Sequence, residues 1–431
     1  MSRIMGVIEA IPALYKRPKD GMAYNPQIDG LRCLAILSVL VWHGGLRIVR
    51  HGELLDPGGG RLEGLYAVLP HGEIGVVLFF MISGLIIARP FLGDPSRPVA
   101  PGKFYYRRFH RLYPPYLIAL GLCSIPVFLD VLHHNHTWRI TPTESFLASM
   151  AYVHGVVWNA PSMFIPPLWS LEVEVQFYLL FPMLIVIYRK MGASRIASTL
   201  AVLALYVVTL GYIHGLYGFD GRFRFGLVTH LPYFIMGIIV ADLAERHGAA
   251  ARRRAGECDL LLCAGLVLFL LAGLALTRVN AEARPPVLYS ALQALSMLSC
   301  LCVMVGAMYG RRGGALFGNA WICLTGTMCY SIYLVHVPLM EAIETVVLHR
   351  LPATSPVLLG MTDAAVLLPS VWLAGLGFYI FVERPFMNRQ ARPVPSASLV
   401  TEAALAAGTA LTDGAQAVVG SATQPSSAPG S

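Results

Sequence analysis

Apolar stretches long enough to cross a bilayer recur along most of the chain, separated by short polar connections. A transmembrane helix needs about 20 consecutive, mostly apolar residues. The pattern therefore predicts an all-α, polytopic membrane protein with about ten transmembrane helices. The predicted spans are residues 30–49, 73–92, 114–131, 171–188, 196–214, 226–244, 258–276, 287–309, 320–340 and 361–382.

Composition supports this class. Of the 431 residues, 56% are hydrophobic and only 13% are charged, whereas a soluble domain carries about 25% charged residues. The net charge of +8 is interpreted as a topology signal, because Lys and Arg accumulate in cytoplasmic loops, and no nucleic-acid partner is expected. The eight cysteines fall in or beside apolar runs, a pattern typical of buried thiols rather than of disulfides.

The basic residues give the predicted helices a direction. If the N-terminus is cytoplasmic and the sides alternate, 23 of the 32 Lys and Arg residues lie on the inner side. This bias favours both termini in the cytoplasm. Residues 1–27 would form a cytoplasmic N-terminal segment, residues 28–390 the transmembrane domain, and residues 391–431 a disordered low-complexity tail. The short apolar run at 145–157 is predicted to be re-entrant or interfacial.

The first span, IDGLRCLAILSVLVWH, carries two ionisable residues that a lipid-facing helix would avoid. Arg32 and His43 are eleven residues apart, so in an α-helix they share a face and lie about 16 Å apart along the axis. Ionisable residues inside the membrane usually line a cavity and mark a functional site. His43 is expected in the outer half of the membrane, as a hydrogen-bonded core residue or as a general base.

A basic and aromatic segment, KFYYRRFHR, precedes the third span. Arg108 and Arg111 are three residues apart, so a helix presents both on one face. Paired guanidinium groups bind phosphates well. Arg32 is expected on the same side of the membrane, so a polyphosphate ligand from the cytoplasm would meet all three. The alternative is a plain positive-inside anchor.

The segment PLWSLEVEVQFYLLFP enters the fourth span from outside. Glu174 and Tyr178 are four residues apart and share one helix face, whereas Glu172 points elsewhere. Glu174 is predicted either to orient His43 or to bind a sugar hydroxyl. The alternative is that acidic residues are simply favoured near a helix N-terminus.

Two further segments carry small or aromatic polar residues. Tyr330 and His336 in CYSIYLVHVP are either interfacial belt residues or part of a binding site. Ser83 in VLFFMISGLI permits close approach of a helix, the favoured interpretation, or of a ligand. No metal site is expected, because His133, His134 and His136 fit an exposed polar loop better than a metal centre.

Together these motifs resemble the membrane-bound acyltransferase 3 family. They occur in the family's order over residues 25–390, with a trailing ERP. The resemblance matches the family's R-x-x-R motif to Arg108 and Arg111. It matches the family's motif of a basic residue, ten further residues and a histidine to Arg32 and His43. Its S-G-F motif falls on Ser83 and Gly84 but ends in Leu85, a departure that concerns packing rather than chemistry.

The resemblance implies ten core helices and transfer of an acyl group, acetyl by default, from acyl-coenzyme A to a hydroxyl. Acyl-coenzyme A would be a co-substrate, and no permanently bound cofactor is expected. The implied partners are acyl-coenzyme A, a carbohydrate or lipid-linked glycan acceptor and membrane lipid. The implied location is the bacterial cytoplasmic (inner) membrane.

The site residues follow from the motifs and the resemblance together. The expected catalytic residues are His43 and Glu174. The expected donor-binding residues are Arg32, Arg108, Arg111 and Ser83. The expected acceptor-binding residues are Tyr178, Tyr330, His336 and Trp169. The same ionisable residues would also serve a multi-pass transporter or exporter of a glycan or organic acid, although no inverted repeat supports one. A non-catalytic assembly subunit is the third class considered.

Overall fold

The structure is a computed structural model. It describes residues 25–55, 63–94, 98–133, 138–217, 223–279, 285–346 and 356–388. The chain divides into a unit Met1–Phe386 and a unit Met387–Ser431, of which only the first two residues are described. The predicted tail at 391–431 and nearly all of the predicted N-terminal segment therefore lie outside the described residues.

The described residues form helices and no strands. The helices are α1 Pro26–Leu55, α2 Glu63–Val68, α3 Glu73–Leu92, α4 Pro101–His133, α5 Pro142–Met150, α6 His154–Trp158, α7 Trp169–Lys190, α8 Arg195–Tyr217, α9 Leu227–Arg253, α10 Ala255–Val279, α11 Pro286–Tyr309, α12 Arg311–Phe317, α13 Ala320–Thr327, α14 Cys329–Val346, α15 Pro356–Phe378 and α16 Arg384–Asn388. Short 3₁₀ turns precede α7 and α8, and a π-helical turn, Tyr379–Glu383, follows α15.

Within these ranges, nine helical segments are long and apolar enough to cross a membrane. They correspond to the predicted spans one to eight and ten. The ninth span is a bent pair instead, because α13 and α14 meet at 68° around Met328. The prediction of an all-α polytopic protein with about ten spans is confirmed, and the direction of the termini stays a prediction.

Burial separates central from peripheral helices. In the spans that contain α3 and α9, 67% of an apolar stretch of 18 residues is buried, whereas the buried share is 28% in the spans of α4, α8 and α15. Helices α3 and α9 cross at a glycine contact: a Cβ on Gly237 would lie 2.1 Å from the carbonyl oxygen of Met81 and 3.0 Å from Gly84 Cα. Small residues let two backbones approach this closely. Gly84 therefore serves the packing of α3 against α9, which is the interpretation that the sequence favoured.

Replacing Gly237 by Ala is expected to destabilise the bundle. The new methyl group would overlap backbone atoms of α3, which cannot move aside as a flexible side chain could. Overpacking of this kind costs about 1–3 kcal/mol. Thermal unfolding in detergent would show a lower midpoint than wild type. Gly121→Ala in α4 is the matched control, since nothing lies within 4 Å of its Cβ position. Equal midpoints for Gly237→Ala and wild type would contradict the close crossing.

The apolar run at 145–157 falls on two short helices, α5 and α6. At nine and five residues, neither is long enough to span. Buried hydrogen bonds hold this hairpin of α5 and α6 in place. The Ser145 hydroxyl lies 3.0 Å from Nε2 of buried His154, and Glu172 of α7 accepts the Gly155 N–H at 2.8 Å. Burial keeps the pKa of His154 below its usual range, because desolvation disfavours the charged ring. Glu172 therefore holds this hairpin against the bundle.

Candidate active site

Two adjoining cavities lie inside the bundle. The first, here the arginine cavity, has a volume of about 110 Å³ and contains Arg32, Arg108 and Arg111 in its wall. The second, here the histidine cavity, has a volume of about 310 Å³ and contains His43. The two cavities lie at different positions along α1, because Arg32 and His43 are three helical turns apart. The structure thus separates the cationic residues of the sequence motifs from the base.

The three arginines converge in the arginine cavity from α1 and α4. Arg32 is paired, since its guanidinium donates to Asp29 at 2.8 Å. Arg108 lies 5.5 Å from the ring centre of Tyr178 and 5.8 Å from that of Phe104, and it makes no ion pair with the described residues. An unneutralised guanidinium held over aromatic faces is suited to binding an anion.

Glu174 is where the structure departs most from expectation. Its Oε1 accepts hydrogen bonds from Ser83 and, at 2.5 Å, from Tyr178, and the carboxylate lines the arginine cavity. The structure therefore places Glu174 with Ser83 and Tyr178 in the arginine cavity and not in the wall of the histidine cavity, and the role of Glu174 in orienting His43 stays a prediction. Helical spacing correctly paired Glu174 with Tyr178, but the packing of α7 against α3 turns that face away from His43.

The tyrosines expected beside the acceptor also line the arginine cavity. Tyr178 is bonded to Glu174, and Tyr330 donates to the Leu112 carbonyl at 2.8 Å. Trp169, in contrast, lines the histidine cavity, with its ring centre 5.2 Å from that of His230. The structure therefore divides the expected acceptor-binding residues between the two cavities.

The histidine cavity is concave and rich in rings and hydrogen-bonding groups. The ring centre of His43 is 5.2 Å from that of His336, which comes from α14. Besides His43, the polar and aromatic residues in the cavity wall include Trp42, His71, Glu73, Trp169, Arg224, Tyr289 and Gln293. Small-molecule sites commonly combine aromatic walls with a few placed polar groups, and this lining suits a hydroxyl-rich ligand.

Ser170 and Tyr333 line both cavities. The Tyr333 hydroxyl donates to the Pro167 carbonyl and lies 2.9 Å from the Ser170 hydroxyl. Either hydroxyl can be the donor between Ser170 and Tyr333, and the Ser170 hydroxyl also lies 3.5 Å from the Pro167 carbonyl, to which it can donate. These two side chains form a thin polar layer between the chambers. Sequence reasoning missed them, although Tyr333 lies in a motif and three residues before His336.

Glu383 was also missed as a cavity residue. In sequence it reads as a structural partner or anchor beside Arg384 at the end of the last span. In the structure its side chain is buried, accepts from Ser331 at 2.6 Å and lines the arginine cavity. The trailing ERP was the available signal.

Metal and disulfide chemistry are not suggested by the described residues. No group of three or more His, Cys, Asp or Glu side chains there could hold a metal ion. Of the predicted polar histidine loop, His133 ends α4, whereas His134 and His136 lie outside the described residues. All eight cysteines are described, and none forms a disulfide.

An all-α bundle with an arginine-lined and a histidine-lined chamber defines the class: an integral membrane protein built around internal polar cavities. Residues 25–382 match the acyltransferase 3 family, whose description is "Acyltransferase domain". Because this match covers most of the chain, the chain belongs to that family.

Relatives carry the same activity in their names. The O-acetyltransferase OatA of Staphylococcus aureus (strain NCTC 8325 / PS 47) is 28% identical over 229 residues, which are 51% of this chain and 34% of that protein. A provisionally named O-acetyltransferase of Staphylococcus aureus (strain MSSA476) is 27% identical over 236 residues, 52% of this chain and 35% of its own length. The chain thus spans about a third of the length of these curated relatives. No solved structure matches the chain.

Proposed function

We propose that the protein is a membrane O-acetyltransferase that moves an acetyl group from acetyl-coenzyme A to a hydroxyl of a carbohydrate or lipid-linked glycan. The proposal places it in the bacterial cytoplasmic (inner) membrane, with both termini cytoplasmic. The observation that carries it is the pair of adjoining cavities, one with an unneutralised arginine and one with a histidine, meeting at Ser170 and Tyr333.

The donor would bind at the arginine cavity. The phosphates of acetyl-coenzyme A are supported by Arg108, whose guanidinium makes no ion pair with the described residues, and by Arg32 and Arg111 beside it. Helix α14 begins at this cavity with Cys329 and Tyr330, and a helix N-terminus adds positive potential. Because the cavity is narrow, the phosphates would stay at its mouth against the arginines, and only the thioester end of the pantetheine arm would reach inward, toward Ser170 and Tyr333.

The acceptor would bind in the histidine cavity. His43 would take the proton of the acceptor hydroxyl as its oxygen attacks the thioester carbonyl. Collapse of the tetrahedral intermediate breaks the carbon–sulfur bond, forms the ester, and releases coenzyme A thiolate, which takes the proton from the His43 imidazolium. Trp169 would offer an apolar face to a sugar ring. In this scheme Glu174 shapes the donor cavity and is not His43's partner.

The test is acetyl transfer in sealed, inside-out membrane vesicles containing the full chain and native envelope glycans. Acetyl-coenzyme A labelled in the acetyl group is added outside, where the cytoplasmic face is exposed. We expect label to enter the glycan fraction in an alkali-labile ester, together with stoichiometric release of coenzyme A. Vesicles without the protein are the control.

Transport is the competing outcome of this experiment, because cavities in series also suit a permeation path. Label or glycan that accumulates inside the vesicles without ester formation would support transport and reject the proposed transferase. Absence of both ester and coenzyme A release, with folded protein present, would also reject it.

A further inference from the structure

His43 needs a partner that the sequence did not identify. Glu174 is engaged in the arginine cavity, and no described residue forms a hydrogen bond with the His43 side chain. A general base works best when its second ring nitrogen is held by another group, which selects the tautomer and the orientation. The nearest ring is that of His336, 5.2 Å away between centres and inclined by 59°.

The hydrogen bonding of His336 defines its tautomer. Its Nδ1 lies 2.7 Å from the Tyr333 carbonyl oxygen. A carbonyl only accepts hydrogen bonds, so Nδ1 carries the hydrogen and Nε2 of the neutral ring carries a lone pair. The residue is 0% exposed, and Nε2 is buried without a partner among the described residues. Buried polar atoms are nearly always hydrogen-bonded, so this acceptor stands out.

The distance between the rings fits a bond between them. An N–H···N contact of about 2.9 Å, added to the ring radius on each side, gives a separation of about 5.2 Å between ring centres. The rings of His43 and His336 have this separation but are not hydrogen-bonded in the structure. Such a bond requires the His43 ring to turn while the His336 ring keeps its Nδ1 bond to the Tyr333 carbonyl.

We propose that His336 is the positioning residue of His43, accepting an N–H of the His43 ring at Nε2. This inference rests on the proposed function. The bond would leave the other His43 nitrogen unprotonated toward the acceptor hydroxyl. When His43 takes the proton, its N–H to His336 becomes charge-assisted and strengthens. A neutral imidazole locked by a backbone carbonyl thus takes the place that a carboxylate holds in a Ser-His-Asp triad.

The same two helices offer a built-in control. Arg47 of α1, one turn beyond His43, is paired with Glu344 of α14 at 2.9 Å. Glu341 lies 3.6 Å from the same guanidinium. This ion pair also joins α1 to α14, but neither of its side chains is hydrogen-bonded to the His43 ring in the structure. Removing the Arg47–Glu344 ion pair tests whether activity depends on polar contacts between α1 and α14 in general rather than on His336.

The experiment compares three variants of the full chain in vesicles with labelled acetyl-coenzyme A, with rates divided by the amount of folded protein. His336→Leu is expected to lower the maximal rate about 10- to 100-fold, as loss of a residue that orients a functional group does, with unchanged KM for acetyl-coenzyme A. His336→Gln should recover at least half of the lost factor on a logarithmic scale, because its side-chain oxygen can accept where Nε2 does. Glu344→Gln should retain the wild-type rate.

A double-variant cycle separates positioning from mere packing. If His336 acts through His43, then His336→Leu should cause no further loss in a His43→Gln background. An independent, multiplicative loss would overturn the proposal, as would equal rates in wild type and His336→Leu or failure of Gln to surpass Leu. Absence of acetyl transfer by the wild-type protein would instead reject the proposed function, so the two failures are distinguishable.

Discussion

Replacing His43 by Ala or Gln is expected to lower the maximal rate of acyl transfer by about 10²- to 10⁴-fold, the usual contribution of a general base. Binding of acetyl-coenzyme A should be unchanged, because His43 lines the histidine cavity and the arginines line the other one. The measurement pairs coenzyme A release with equilibrium binding of labelled acetyl-coenzyme A to purified protein. The Gln variant retains volume and hydrogen bonding but removes the base.

His71→Ala is the matched control for this prediction. His71 lines the same cavity but packs against Trp42 in a tilted arrangement, with 4.2 Å between ring centres. We expect it to retain a rate within about tenfold of wild type, since no proton-transfer step depends on it. A His43→Ala protein with full activity would reject the mechanism. Equal losses in both variants would indicate that the cavity's integrity, rather than the base, is being measured.

Replacing Arg108 and Arg111 together by Ala is expected to weaken acetyl-coenzyme A binding by at least about 100-fold. A hydrogen bond to a charged group contributes about 1.5–3 kcal/mol, and both guanidinium groups face the arginine cavity. The effect should appear in KM and in the equilibrium dissociation constant, with the maximal rate retained at saturating donor. Arg108→Lys should fall between wild type and Ala, because Lys keeps the charge but not the planar fork.

Arg107→Ala provides the control on the same helix. Its side chain is exposed and does not line the cavity, yet the substitution removes the same charge from the same basic segment. We expect donor affinity within about threefold of wild type, the effect of a screened surface charge. If Arg107→Ala weakens binding as much as the double variant, the segment acts as a diffuse basic anchor, the alternative that the sequence left open. Unchanged affinity in the double variant would remove the donor site from this cavity.

Which predictions succeeded depends on the kind of information they used. The convergence of Arg32 with Arg108 and Arg111 was expected from two local signals, helical spacing and the bias of basic residues toward one side. Both depend only on the near neighbours in the chain and on the membrane. The pairing of Glu174 with Tyr178 was likewise expected from the i, i+4 relation and is present in the structure.

The placements that the sequence left undecided depend on how the helices turn toward each other. A helix face has no direction until it packs, so the sequence could not tell whether Glu174 faces His43 or Ser83. The packing of α7 against α3 sets the direction of Glu174, and α14, which follows the break around Met328, carries His336. They place Glu174 in the arginine cavity and His336 beside His43.

By itself, then, the sequence determined the all-α membrane class, the approximate number of spans and the residues that share each helix face. Hydropathy and the 3.6-residue period are local properties, and they need no partner helix to be expressed. Only the tertiary structure decided that the polar residues are divided between two cavities, that Ser170 and Tyr333 line both, and that His336, whose buried Nε2 has no partner among the described residues, lies beside the His43 ring. These relations join residues more than 100 positions apart in the chain, and close packing between helices, which spacing along one helix does not encode, creates them.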